Sequence, residues 1–166
     1  DENNNLTCSG KVASLMCDGY PLVRAIIITC NDFKTLSFNE IVAWLGIFAW
    51  TSNLEDNDDS LTPIDSVIEY TSYMMMEIYN KELIQPNLKV NIIYDWIINK
   101  NIVHISQYIG LEDLGNFIKT ILRISSFIDE LKTILLGLEM YDIYNKLENH
   151  EEKLFYGIVS NSSIYV

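Results

Sequence analysis

The stretch Leu111–Tyr141, LEDLGNFIKTILRISSFIDELKTILLGLEMY, carries the longest periodic signal in the chain. Phe117, Ile121, Ile124, Ile128, Leu131, Leu135 and Leu138 alternate four and three residues apart, which puts them on one stripe of an α-helix. Such a stripe is the seam along which helices pack antiparallel. The fold is therefore expected to be built around one long central helix.

Moving outward, residues 102–110 read as a short helix stopped by Gly110. The segment from Leu88 to Ile98 is ambiguous in composition, since its Ile and Val content suits a strand. Leu88, Ile92, Ile93, Trp96 and Ile97 nonetheless make a helix face, and with helical neighbours and no evident partner strand it is assigned as helix. Thr62 and Pro63 supply an N-cap and a first-turn proline for a helix striped by Ile64, Val67, Ile68, Thr71, Met74, Met75 and Ile78. Gln85-Pro86-Asn87 ends it. Ser37-Phe38-Asn39-Glu40 is a capping box flanked by Leu36 and Ile41 at staple spacing. The helix that follows, through Trp50, is apolar nearly all round and belongs at the centre of a bundle.

Toward the N-terminus, Asp18-Gly19-Tyr20-Pro21 separates two helices, although Ile26-Ile27-Ile28-Thr29 alone also fits a buried strand. On the other side, Asp142 is positioned to cap a last helix bearing Ile143, Leu147, Leu154 and Ile158, and the apolar end Ile164-Tyr165-Val166 is expected to dock. The expectation is all-α: a bundle of about seven helices around a long central one. Residues 1–5 should be frayed and 6–166 a single domain.

At 166 residues with 49% hydrophobic content, the chain has enough apolar side chains for one real core. Eleven basic against 23 acidic residues give a net charge of −12, which excludes binding to nucleic acid through a generally basic surface. A contact made by a few local cations stays open. Cys8, Cys17 and Cys30 form no pairing pattern, so a reducing intracellular setting is expected rather than a disulfide scaffold: cytoplasm or nucleus, or a viral factory if the source is viral. The longest apolar run, Ile41 to Trp50, is about half a membrane span, and the chain shows no signal-peptide pattern. Counts of 24 Ile and 16 Asn suggest an AT-rich genome, such as that of a large DNA virus or a protist. The start at Asp1 suggests a fragment or a processed product.

A search for catalytic chemistry returns little. His104 and His150 lie far apart, with no Cys or carboxylate at metal-ligand spacing, so no metal site is expected. GxxxxGK[ST], GxGxxG and GxSxG are absent. The acidic run Glu55-Asp56-Asn57-Asp58-Asp59 lacks the glycine and the final Glu of a Ca²⁺ loop and reads as solvated. Cys17, Cys30 and Met74-Met75-Met76 read as core filling. One feature stands out: Lys119 and Arg123 lie four apart on the side of the long helix opposite its seam, with Ser126 and Glu130 continuing that face. It is either a solvated face with local ion pairs or a surface offering an ammonium and a guanidinium to a phosphate or base.

Leu88-Lys89-Val90-Asn91-Ile92-Ile93-Tyr94-Asp95-Trp96, then Gly115-Asn116-Phe117-Ile118-Lys119-Thr120-Ile121-Leu122-Arg123 and Asp129-Glu130-Leu131, resemble the C-terminal helical domain of superkiller-type, exosome-assisting DExH-box RNA helicases. That family shows "L-x-x-V-x-Y-x-W", then "E-G-x-x-I-R-x-x-x-R-L-x-E-L", and a terminal "D-I-V-x-x-x-S-L-Y-L". The corresponding ending here is Gly157-Ile158-Val159-Ser160-Asn161-Ser162-Ser163-Ile164-Tyr165-Val166. Ser9-Gly10-Lys11-Val12-Ala13 and Phe38-Asn39-Glu40-Ile41-Val42-Ala43-Trp44-Leu45 extend the resemblance, in order, over residues 6–166. Leu114, Lys119, the Ser125-Ser126 pair and Ser52 depart from the family pattern. The resemblance implies a domain beneath two RecA-like motor domains, whose long "ratchet" helix lines a channel for single-stranded RNA during 3'-5' unwinding in RNA processing. It implies Arg123 as the RNA-facing arginine, with Lys119 one turn earlier and Ser126 beside them. No cofactor or catalytic residue is expected in this chain. ATP and Mg²⁺, and the hydrolase activity, would belong to the parent's RecA-like domains, with RNA, those domains and RNA-decay complex proteins as partners and no membrane contact. The alternative is a motor-less module that binds protein instead of RNA.

Overall fold

The computed structural model describes residues 7–16, 18–56, 60–155 and 158. Among them every regular element is helical. The frayed 1–5 segment, Cys17, and the docking of the C-terminal Ser160–Val166 tail fall outside the described residues. Ten helical segments occur: α1 (Cys8–Ser14), α2 (Pro21–Ile28), α3 (Asn31–Lys34), α4 (Phe38–Ala49), α5 (Asp65–Tyr79), α6 (Pro86–Asn99), α7 (Ile102–Ile109), α8 (Leu111–Gly137), α9 (Tyr141–Lys146) and α10 (His150–Phe155). Two of these were not foreseen as separate helices: the one-turn α3, and α10, which a break divides from α9.

Helix α4 is the axle. Ser37 accepts from the Glu40 amide at 3.3 Å while Glu40 returns to the Ser37 amide at 3.4 Å, so the capping box is made in both directions. All residues from Ile41 to Ala49 are buried. Helices α6 and α8 both pack against it. α4 meets α6 at Gly46, where an added Cβ would come within 2.9 Å of Ile93 Cγ1. Helix α6 is helix throughout, with Leu88, Ile93 and Trp96 buried, which resolves the strand-or-helix question for 88–98. Ile26–Ile28 likewise belong to α2, with Thr29 as its C-cap.

The seam of α8 is buried as read: Phe117, Ile121, Ile124, Ile128 and Leu135 are each 0% exposed. Every tryptophan N–H finds an acceptor, as a buried indole requires: Trp44 at Thr71 Oγ1 (3.1 Å), Trp50 at Ser52 Oγ (2.9 Å) and Trp96 at the Leu154 carbonyl (3.1 Å). The flanks of the acidic loop are held as well. Gln85 receives the Leu54 amide and donates to the Leu54 and Asp56 carbonyls, while Asn87 and Asn91 bond Ser60.

Three boundaries differ from the sequence reading. Helix α5 begins at Asp65, because the Asp65 carboxylate takes both the amide and the hydroxyl of Thr62 and holds Thr62-Pro63 in a turn outside the helix. Asp142 lies inside the first turn of α9 rather than at its cap, and the last helix is broken where Asn149 takes φ +57°. Of Met74, Met75 and Met76 only Met75 is core; Met76 is exposed. Among the described residues no helix is long and apolar enough to cross a membrane.

Candidate nucleic-acid interface

Opposite its seam, α8 leaves an open stripe: Gly115, Lys119, Leu122, Ser126, Asp129 and Thr133, three or four apart and all exposed. Lys119 stands on it and makes no salt bridge among the described residues. Ser126 is about two turns on, its hydroxyl turned back to the Leu122 carbonyl at 3.4 Å. Leu122 sits between them, half exposed. These two predicted residues therefore do share a solvent-facing surface.

Arg123 is placed differently. Its guanidinium leans off the stripe toward the loop between α1 and α2, with Nη2 at 2.5 Å from Asp18 Oδ2. Nη1 donates to the Ala49 carbonyl at 3.4 Å, and the group lies 5.3 Å from the Phe127 ring centroid. Arg123 retains 31% side-chain exposure and Asp18 64%, so the pair sits at the edge of solvent. The Arg123 hydrogen bond, then the Gly19 amide, holds the Asp18 carboxyl below the usual carboxylate range.

The same loop is fixed from below by Arg24, which is 1% exposed. Its Nε donates to the Gly19 carbonyl at 2.7 Å, and its Nη2 reaches the Asp18 carbonyl and, at 3.3 Å, Glu130 Oε1. Its guanidinium lies 4.3 Å from the Phe127 ring centroid. Burial pushes the Arg24 pKa down, against the opposing pull of Glu130 and Asp18. Gly19 is required here: its φ is +67°, and a Cβ would lie 2.9 Å from Phe127 Cζ. Glu130 thus belongs to this flank and not to the open stripe.

A second cation meets the same end of α4. Lys89 of α6 is 2% exposed and donates from Nζ to the Trp50 carbonyl at 2.9 Å. Arg123 and Lys89 together supply donors to the last carbonyls of an almost wholly buried helix, where the backbone dipole favours positive charge. Burial brings the Lys89 pKa down to about 8. Sequence reading missed Lys89 and Arg24 as structural cations. The available hint was an isolated basic residue inside an apolar helical run, PLVRAIII for Arg24 and NLKVNII for Lys89. Ser52, one of the departures from the family pattern, is occupied in holding the Trp50 indole.

Neither histidine shows a metal-ligand spacing in sequence, but folding supplies partners. His104 lies 3.1 Å from Asp95 at an exposed site. His150 is brought to Asp129 of α8 and stands beside Glu151, one donor atom of each falling within 4.8 Å of the others.

A model of the DSHCT (NUC185) domain family matches residues 3–162 of the chain. The chain is also similar to the antiviral helicase SKI2 of Saccharomyces cerevisiae, 22% identical over 185 aligned residues that take in 100% of this chain and 14% of that protein. The chain thus spans a small part, 14%, of the length of the curated relative it matches.

Proposed function

Starting from the fact that the chain belongs to the DSHCT (NUC185) domain family, a helicase-associated helical domain, we propose that α8 lines a path for single-stranded RNA in an ATP-dependent helicase. The RecA-like domains of that parent protein would bind ATP and Mg²⁺ and do the work of 3'-5' unwinding, in an intracellular, reducing setting. RNA-decay complex proteins would be its further partners. In this role Lys119 meets backbone phosphates as an unencumbered ammonium, and Leu122 gives an apolar surface for a base or sugar. Ser126 adds a hydroxyl, and Arg123 offers a planar fork to phosphate.

The observation that carries this reading is the state of Arg123. Its guanidinium is already paired with an anion at the solvent edge, and that anion, Asp18, is itself well exposed. A phosphate oxygen can replace the carboxylate in the same geometry, and the released Asp18 side chain returns to water. A guanidinium sealed in the interior, like that of Arg24, could not make such an exchange.

The test is Arg123→Ala in the complete helicase, with RNA-stimulated ATPase as readout and circular dichroism as a fold control. Loss of one charge-assisted phosphate contact is worth about 1.5–3 kcal/mol, so apparent RNA affinity should fall at least about tenfold. Arg123→Lys should recover part of it. On the present chain, oligo-U binding by fluorescence polarisation at low salt should be salt-sensitive and abolished in Lys119→Ala/Arg123→Ala. Unchanged RNA dependence in the folded Arg123→Ala helicase would refute the channel role. It would favour the motor-less protein-binding module, which the net charge of −12 otherwise recommends.

A further inference from the structure

We propose that His150, Asp129 and Glu151 form a zinc-type divalent-cation site that clips α10 to α8. The His150 side chain is 5% exposed, and its Nε2 has no hydrogen-bond partner although Asp129 Oδ1 is 3.1 Å away. The ring is also hydrogen-bonded to the Leu147 backbone, which leaves Nε2 as the nitrogen aimed at the two carboxylates. A backbone bond to one imidazole nitrogen that directs the other outward is the arrangement metal-binding histidines use.

An uncharged imidazole would present its Nε2 lone pair to a carboxylate oxygen, which is repulsive unless a proton or a cation lies between. The buried Nε2 has no hydrogen-bond partner, so the place between it and the carboxylates is open to a cation. A cation bonded at about 2.0–2.1 Å in tetrahedral geometry separates its ligands by about 3.4 Å, close to the observed His150–Asp129 distance. Asp129 and Glu151 are both exposed, so their carboxylates can turn toward the ion without backbone movement.

One imidazole and two carboxylates give a mixed nitrogen and oxygen donor set, which suits zinc over magnesium or calcium. Two negative charges match the ion, and the fourth position is left to water. Lys132, whose ammonium lies 5.4 Å from the Tyr144 ring, is the competing cation and keeps affinity moderate. The clip would secure the helix whose Leu154 carbonyl accepts the Trp96 indole. It is independent of the RNA reading.

The test is calorimetric titration of the chelator-treated 166-residue chain with zinc chloride and, separately, magnesium chloride. Expected is one saturable zinc equivalent in the micromolar range, with a Tm rise of about 5–10 °C at a hundredfold excess over Kd. Asp129→Asn and Glu151→Gln, both at exposed positions, should each weaken zinc binding tenfold or more, and His104→Gln should leave it unchanged. Absence of saturable zinc binding, equal binding to Asp129→Asn, or equal affinity for magnesium would each overturn the proposal.

Discussion

Replacing Lys89 by methionine removes a buried ammonium and keeps a side chain of similar length. The folded-state pKa of about 8 lies below the ordinary 10.5 because burial disfavours the charged form. At about 1.4 kcal/mol per pH unit, that gap costs the folded protein about 3 kcal/mol while both states carry the proton. The full cost is present below about pH 8. Between there and pH 10.5 the folded state has lost its proton and the unfolded chain still holds one, so stability rises with pH; above that window the cost is gone. On this basis the wild-type chain gains about 2 kcal/mol from Lys89 between about pH 7 and 9.5. Methionine does not titrate, but it leaves the Trp50 carbonyl without its donor, a loss of about 1–2 kcal/mol. The variant should therefore be about 1–2 kcal/mol more stable than wild type at neutral pH, with the advantage vanishing near the upper end of the window. Urea unfolding followed by fluorescence of the buried Trp44, Trp50 and Trp96 measures this, and other titrating groups cancel in the difference. A wild-type-minus-variant difference that stays constant across the range would refute the reasoning.

Two glycines should respond with opposite signs. Gly46→Ala places a methyl 2.9 Å from Ile93 Cγ1 in the core and should cost about 1–2 kcal/mol net of its helix-propensity gain. Gly115→Ala, in α8 with nothing within 4 Å of the new atom, should gain about 0.5–1 kcal/mol; both are read by thermal melts. Arg24→Met should cost about 2–3 kcal/mol in urea unfolding, since it leaves the Gly19 and Asp18 carbonyls without the guanidinium donors and removes the ion pair to the partly solvated Glu130. Its effect should exceed that of Arg123→Ala in the same assay.

Phe117 through Leu135 were legible because alternate four- and three-residue spacing over so many residues has one geometric meaning, and nothing local contradicts it. Ser37 and Glu40 were legible for a related reason: both partners of a capping box sit within one turn. The start of α5 was misread because Thr62 and Asp65 satisfy each other before the helix begins, and a Thr-Pro pair looks the same in either case. The break at Asn149 was hidden because Ile143, Leu147 and Leu154 keep helical spacing on both sides of it. In the candidate site, Lys119 and Ser126 could be placed by rotation about the helix axis alone. The partners of Arg123 could not, since Asp18 lies 105 residues away in sequence, and the same distance problem hid Arg24–Glu130 and His150–Asp129. Periodicity states which side of a helix is wet; it does not state which loop leans against it.

The carboxylate already seated on Arg123 has a consequence for motion under the proposed role. When a phosphate departs, the guanidinium is not left bare, because Asp18 is tethered one side chain away and closes on it again. Departure then costs less than it would from an unpaired guanidinium, and the landscape along the helix is shallower. A strand would meet a series of brief stops there, which suits onward transport better than storage.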